Sequence, residues 1–449
     1  MDILALSQCL QPYVSATTLR QLSRVVLAML AMTGRVTMLG ISRWAGPGGS
    51  YRTVQRFFST ALPWAMLFWW FFRQQVHRPG DVCLLAGDEV VVTKAGKHTY
   101  GLDRFFSSLH SKPVPGLAFF ALSLVSVQER RSFPVRVEQV VRSAAEKAAS
   151  KAKGEAKKQQ PSPNKRRPGR PRGSKTKDKA AVTLTPELVR IGRMIEGLLQ
   201  LIAKFIPLTY LVLDGHFGNH NALHLAQQHN LQLISKLRSD SALYVPYDGP
   251  YAGRGPQRKY GSKLDYRRIP EEYLQATTLE GHIQTRMYQA QLRHKEFPQS
   301  LNVVIIVKTN LHTQAWAHVI LFSSDLELPY DTLRDYYCLR FQIEFNFRDA
   351  KQYWGLEDFM NVTPTALTNA ANLSLFMVNV SYRLLRDFRQ SDPDYSVLDL
   401  KADCRGYKYV DETIKMLPEK PEPVLLAQIF HKVACLGRIH TVQPCFSPG

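Results

Sequence analysis

Paired cysteines are missing from this chain. Its six cysteines (Cys9, Cys83, Cys338, Cys404, Cys435 and Cys445) form no CxxC pair and no ligand-like cluster. That spacing excludes a zinc site and a disulfide framework, and it suits reduced thiols in a cytosolic protein. Long apolar runs are missing too: the most apolar stretch, Ala61 to Phe72, falls well short of the roughly 20 residues that span a bilayer. The first residues, MDILALSQCL, place an acid at position 2 and no basic region ahead of the apolar ones, unlike a signal peptide. No membrane role is expected, and no internal repeat is visible. Acidic residues are in short supply, 37 Asp and Glu against 58 Lys and Arg, leaving a formal charge of +21. A surplus of that size argues for a polyanionic partner, nucleic acid before an anionic membrane surface. The 449 residues are 45% hydrophobic and 10% aromatic, enough for two or three globular domains around a sizeable core.

Residues 1–78 read as helical. Leu19, Leu22, Val26, Met29 and Leu30 recur at helical spacing. The Gly46-Pro47-Gly48-Gly49 turn precedes a helix that Ser50 can cap, in which Val54, Phe57 and Phe58 recur while Arg52 and Arg56 share another face. Two readings stay open for this pair: a helix-turn-helix that meets DNA, or a plain helical subdomain with surface arginines. Val82–Val92, Gly116–Val127 and Ser132–Val141 then read as strands, as an α/β domain with a mixed sheet would open. The basic stretch between the first two is expected to be a long hairpin connection.

Lys147 to Lys179 carries thirteen Lys and Arg against two acids, a net +11 with nothing apolar repeating, and reads as a disordered linker. Within it RRPGRPRGSK (Arg166–Lys175) resembles the AT-hook motif, whose thin extended Arg-Pro core, here with Arg170 and Arg172, fits a narrow A·T minor groove; a sequence reader, a nonspecific DNA tether and a solubilising loop all stay open. Helical periodicity resumes at Pro186. Thr209–Leu213 is a short strand ending at Asp214, Asn221–Gln228 a helix and Leu231–Leu237 a strand, a βαβ rhythm. Residues 240–300 are turn-rich, tyrosine-rich and basic, and read as a β-rich insertion. Leu301–Lys308 and Ala317–Phe322 are strands, Tyr337–Lys351 and Pro364–Phe388 helices, and shorter helical stretches lie around Val410–Met416 and Leu426–Leu436.

The helix Tyr337–Lys351 is unusual. At 100° per residue Tyr337, Arg340, Glu344, Arg348 and Lys351 share an arc about 80° wide, bordered by apolar residues on both sides. A buried ion-pair network would account for it, as would a carboxylate kept to hold a cation. Two other acids stand out by position: Asp88 interrupts an apolar strand, and Asp214 sits at a strand exit. Strand-end carboxylates and one from a neighbouring helix can hold two divalent ions about 4 Å apart, which phosphodiester chemistry uses, and oxygen ligands select Mg²⁺ or Mn²⁺. Side chains alternate along a strand, so Asp88 or Glu89 can face such a site, not both; Asp88 is the choice.

The spacing Tyr337, two residues, Arg340, three residues, Glu344, six residues, Lys351 is the Y-(2)-R-(3)-E-(6)-K signature. In it, and around Asp88 and Asp214, the chain resembles the DDE transposases of bacterial insertion sequences over about residues 50 to 380. The resemblance implies an α/β fold with a ribonuclease-H-like catalytic core, a mostly β insertion, and helical N- and C-terminal regions. It implies catalytic and metal-binding roles for Asp88, Asp214 and Glu344 with two Mg²⁺ or Mn²⁺ ions. Tyr337, Arg340 and Lys351 would contact DNA near the cleaved end, with Arg348 beside them and Lys94, Lys97, Arg104 and Lys112 as further phosphate contacts. His98, His110 and His216 lie near the site in sequence, although metal-activated water needs no imidazole base.

The expected partition is a helical DNA-end-binding region (1–78), core segments at 79–145, 183–239 and 301–390, the basic linker (146–182), the insertion (240–300) and a helical C-terminal region (391–449). The implied activity is cut-and-paste transposition on inverted-repeat ends and target DNA, by a dimer on the DNA, in the cytoplasm and associated with the nucleoid. The competing readings are a non-catalytic DNA-binding regulator or inactivated copy, and a metal-dependent nuclease without strand transfer.

Overall fold

The computed structural model describes residues 3–107, 111–148, 152, 182–202, 204–251, 253 and 257–440. Its strands are β1 (Cys83–Thr93), β2 (Asp103–Ser107), β3 (Lys112–Ser126), β4 (Arg131–Val140), β5 (Tyr210–Val212), β6 (Gln232–Leu237), β7 (Leu243–Pro246), β8 (Tyr260–Lys263), β9 (Leu274–Glu280), β10 (Ile283–His294), β11 (Ser300–Asn310) and β12 (Trp316–Ser323). They form one twelve-stranded sheet in the order β2-β3-β1-β5-β6-β12-β11-β10-β7-β8, with β4 on β3 and β9 on β10. β1, β5 and β6 run parallel, and the other pairs are antiparallel. Residues 240–300 therefore hydrogen-bond into the same sheet as the core, β10 pairing with β11 from Ile283↔Asn310 to Arg293↔Ser300. The connection after β1 is more than a loop, since it holds β2. Only Phe105 of that strand is buried, too little alternation for its pattern to register.

The helices before the sheet are α1 (Ile3–Ser7), α2 (Ala16–Ala31), α3 (Met38–Trp44), α4 (Tyr51–Ser59) and α5 (Trp64–Phe71). Ser50 caps α4, its side chain accepting from the Thr53 amide, and Arg52 and Arg56 are exposed. α6 (Pro186–Ile202) and α7 (His220–Gln228) flank β5, and α8 (Tyr330–Leu339), α9 (Gln342–Trp354), α10 (Pro364–Phe388), α11 (Val397–Met416) and α12 (Pro423–Cys435) complete the chain. The N-terminal helices share the main core. Asn369 of α10 donates to the carbonyls of Phe58 and Thr60 at 2.8 and 2.7 Å and accepts from Trp64 Nε1 at 2.7 Å, so one buried amide ties α4 and α5 to α10. α11 begins well before the apolar stretch around Val410, because its early buried residues include two acids. Asp399 closes a capping box with Ser396, and Asp403 takes Arg438 and Tyr395.

Alternation along β1 sorts its side chains between the faces of the sheet. Leu84 and Ala86 pack with Val212, Ile234, Leu333 and Leu339 beneath α8. Leu85 packs with Leu211, Leu213 and the apolar faces of α6 and α10 on the other side. No described helix is long and apolar enough to cross a membrane.

The single helix expected over Tyr337–Lys351 is two helices. Between α8 and α9, Arg340 and Phe341 form a joint in which Phe341, Ile343 and Glu344 amides bond carbonyls three residues back, at 3.0–3.1 Å. Both residues keep right-handed helical angles, so neither proline nor glycine marks the break. Such a joint advances about 120° per residue instead of 100°, which a fixed-period reading misses.

Candidate active site

The parity that sorts the core also sorts the acids. Asp88 follows Ala86 to the α8 face, and Asp214, just past β5, follows Val212 to the same face. Glu89 follows Leu85 to the opposite face, toward α6. Asp214 is held by its own turn: its carboxylate accepts from the His216 amide at 3.2 Å and its carbonyl from Ser235 Oγ at 2.7 Å. Gly218 closes that turn because a Cβ there would stand 2.1 Å from the Lys236 carbonyl oxygen.

The α8–α9 joint delivers Arg340 into this face. Its guanidinium lies 3.2 Å from Asp88 Oδ2 and 3.4 Å from Glu344 Oε1, and the residue is only 9% exposed. Tyr337 lies alongside, its ring centroid 5.8 Å from the Arg340 guanidinium carbon. Burial raises the Tyr337 hydroxyl above its ordinary pKa, and the Asp214 carboxylate adds to that rise. Burial pushes Asp88 up to about 6; Arg340 opposes the lift, while Asp214 and Glu344 reinforce it. Asp88, Asp214, Glu344, Tyr337 and Arg340 thus occupy one electrostatic neighbourhood, drawn from β1, the β5 exit and the α8–α9 joint. On the far face, surrounding protein and the Glu187 carboxylate lift Glu89 to about 7, although that side chain keeps a solvent-exposed edge.

Other expected contacts sit elsewhere. Lys351 donates to the Val91 carbonyl at 3.1 Å and pairs with Glu357 at 2.7 Å, just past Asp88 along β1. Arg348, one turn after Glu344, is exposed, pairs with Asp349 at 2.9 Å, and its side chain lines a cavity behind α9. Lys94 is half-buried, donating to the Glu357 and Phe359 carbonyls at 2.7 Å, where burial pulls it down to about 8. Arg104 donates to the Pro113 carbonyl at 2.9 Å, while Lys97, His98 and Lys112 are exposed. His216 is exposed and lies 3.5 Å from Glu187 on α6. His110, Arg170 and Arg172, and with them the AT-hook segment, lie outside the described residues.

One feature escaped the sequence reading. Tyr266, His318 and Trp316 stack in a row, with centroids 4.5 and 5.2 Å apart, and Arg267 lies 5.5 Å over Trp316. β12 runs antiparallel to β6 with Ile320 opposite Leu237, so Trp316 and His318 project beyond the carboxyl end of β6. That is the end of the sheet at which Asp88 and Asp214 sit. The row joins residues 50 positions apart, and only the sheet register brings them together.

Among known families, the DDE superfamily endonuclease model matches residues 6–298. The chain belongs to that family. No curated protein matches it. The match to the DDE superfamily endonucleases takes in Asp88 and Asp214 and ends before Glu344.

A DDE endonuclease implies a divalent metal, and the donor chemistry here fits one. The neighbourhood holds three carboxylates, the oxygen donors that suit a hard divalent ion, and burial above all raises the proton affinity of Asp88, with Asp214 and Glu344 adding to it and Arg340 opposing. In the arrangement seen, Asp88 and Glu344 are turned onto Arg340. Among the described residues, no three His, Cys, Asp or Glu side chains are gathered closely enough to hold an ion. The guanidinium supplies the positive charge that a cation would.

Proposed function

We propose that this endonuclease is a cut-and-paste DNA transposase of the insertion-sequence type carrying the Y-(2)-R-(3)-E-(6)-K signature. The observation that carries the reading is the convergence of Asp88 and Glu344 on Arg340 with Asp214 in electrostatic reach, across separations of 126 and 130 residues in the chain. Asp88, Asp214 and Glu344 would hold two Mg²⁺ or Mn²⁺ ions on a ribonuclease-H-like core. Bound there, the metals would activate the attacking water or 3′-hydroxyl and stabilise the leaving oxygen.

The remaining work falls to this chain's own side chains. Arg340 neutralises Asp88 and Glu344 in the arrangement seen, and its planar fork would grip a backbone phosphate and orient the strand for in-line attack. Tyr337 packs against Arg340 and limits where that fork can go. Lys351, tethered to the backbone of β1, sets a second positive charge beside the strand. The Trp316–His318–Tyr266 row, in which Trp316 is exposed and His318 and Tyr266 are half-buried, offers an aromatic edge on which a base can stack. The substrates are the inverted-repeat ends of the element and its target DNA, engaged by a dimer, with residues 1–78 as the end-binding region and 147–179 as a basic tether, in the cytoplasm on nucleoid DNA.

Glu344→Gln tests this. The amide keeps the side chain's shape and loses metal affinity, so Mg²⁺-dependent cleavage of a labelled element end should fall at least a thousandfold while gel-shift affinity stays within about threefold. Cleavage at the wild-type rate would remove Glu344 from the site.

A further inference from the structure

Behind α9, on the side away from Glu344, the structure holds a cavity of about 180 Å³ between β4, α9, α10 and the start of α11. Asn346 and Asp349, which line it, lie roughly 140–200° round the helix from Glu344. Its charged lining is Arg131, Arg348 and Arg389 against the single acid Asp349. Asp349 is already taken, since both Nε and Nη2 of Arg348 donate to its Oδ1 at 3.1 and 2.9 Å. Arg389 spends its Nε on the Tyr395 carbonyl at 2.8 Å. Among the described residues, no carboxylate comes within ion-pairing distance of Arg131 or Arg389; the recorded contact of Arg131 is the face of Tyr382, 5.2 Å from its guanidinium carbon.

Two guanidinium charges share this cavity with Arg348 and the one carboxylate of Asp349, which offsets them only in part, and the excess charge costs folding free energy unless something compensates it. Both the burial and the repulsion are felt: they hold Arg131 below its ordinary pKa, burial first and Arg389 next. Planar guanidinium forks match tetrahedral oxyanions, and the cavity adds the neutral polar groups of Ser132, Asn346 and Tyr353. It also opens outward, because Arg131, Tyr382 and Arg389 line a second and wider cleft with Arg78, Arg386, Glu129 and Asp387, the two acids being paired with Arg78 and Arg383.

We propose that this cavity is a second anion site that takes a phosphoryl group, separate from the carboxylate site on the other side of the same helix. A DNA backbone and a free phosphate present the same oxygens, and two measurements on the full chain tell them apart. The first is melting temperature in millimolar inorganic phosphate against chloride at equal ionic strength. The second is duplex-DNA affinity across a salt series. The variant is Arg131→Gln, with Arg348→Gln as a second in case the first fails to fold.

If the occupant is a backbone phosphate, Arg131→Gln lowers the log–log salt slope by about 0.9. If it is a free phosphate, the wild type gains melting temperature in phosphate, the variant does not, and the DNA slope stays put. Either result supports an anion site. In phosphate-free buffer the variant should melt no lower than the wild type, because it loses an uncompensated charge. A lower melting temperature there, with the phosphate response and the salt slope both unchanged, would make Arg131 a packing residue on Tyr382 and overturn the proposal. The phosphate arm involves no DNA cleavage, so its failure is separable from failure of the transposase reading.

Discussion

At the residue scale, Arg340 is the pivot. A guanidinium only 9% exposed, between Asp88 and Glu344, is an ion-pair partner in this arrangement, whatever it grips once DNA is present. Its removal strands Asp88 among Asp214, Glu344 and low-polarity protein. Arg340→Ala should therefore lower stability by about 3 kcal/mol at pH 8, the usual cost of breaking a largely buried pair from one side. The pH dependence fixes the cause. Asp88 is held up at about 6 against its ordinary 3.8, so the folded state binds the extra proton and becomes more stable as pH falls through that window. Without Arg340 the carboxyl moves higher still and takes its proton at higher pH. The gap between mutant and wild type should be widest above pH 8 and shrink toward pH 5, in melts run across that range. A gap that stays constant would locate the loss in packing. Lys94 shows the converse lesson: a surface lysine by composition proves to be a half-buried clamp on the 357–359 turn.

At the element scale, α9 carries Glu344 in its first turn and is ended by Gly355. Gly355 adopts φ 75°, the left-handed conformation that closes a helix and that side chains with a Cβ resist. A Cβ at this position would also lie 2.3 Å from the Cβ of Val36, where the strand-like segment before α3 crosses the helix end. Gly355→Ala should cost at least about 2 kcal/mol, the left-handed backbone alone accounting for roughly 1–2. Adding Val36→Gly, which removes the Cβ at position 36, should recover the part due to the contact. Chemical denaturation of the single and double variants separates the two shares, and a neutral Gly355→Ala would show that the helix end tolerates another cap. At its other end, the α8–α9 joint sets the direction of Arg340, and an uninterrupted helix over the same residues would aim that side chain differently.

At the scale of the whole molecule, charge and sheet divide the work. Residues 147–179 hold eleven of the twenty-one excess positive charges. Deleting them should weaken binding to any duplex and flatten its salt dependence by about 0.9 log unit per lost phosphate contact, with the melting temperature of the remainder unchanged. An unaltered salt slope would reduce the segment to a spacer. The single sheet has the complementary role. It runs from β2 to β8 without interruption, so the carboxylates on β1 and past β5 and the aromatic row on β12 are held in one sheet, on opposite faces by the parity of Ala86, Val212 and Ile320.

Some of this was already legible in the residues. Apolar, β-branched runs marked β1, β3, β4, β6, β11 and β12. Helical spacing found α6 and α10, and acids interrupting an apolar strand singled out Asp88 and Glu89, of which parity lets only one face a given side of the sheet. These are local properties, set by a period of two or 3.6 residues acting within one segment. The rest depends on contacts between distant segments. The pairing of β10 with β11 and of β12 with β6 joins residues 240–300 to the core, and the same register builds the row from Tyr266 to Trp316. α11 hides its first turns because two of its buried positions are aspartates, Asp399 held by Ser396 and His440 and Asp403 by Tyr395 and by Arg438 from beyond α12. The joint at Arg340 carries no residue that breaks helices. Its hydrogen bonds change from four residues back to three while Arg340 is drawn to Asp88, 252 positions earlier in the chain. Sequence determined which carboxylates could meet. Only the tertiary structure decided that a buried arginine stands between two of them, because that geometry is fixed by a strand and a helix joint packed on opposite sides of the same charge.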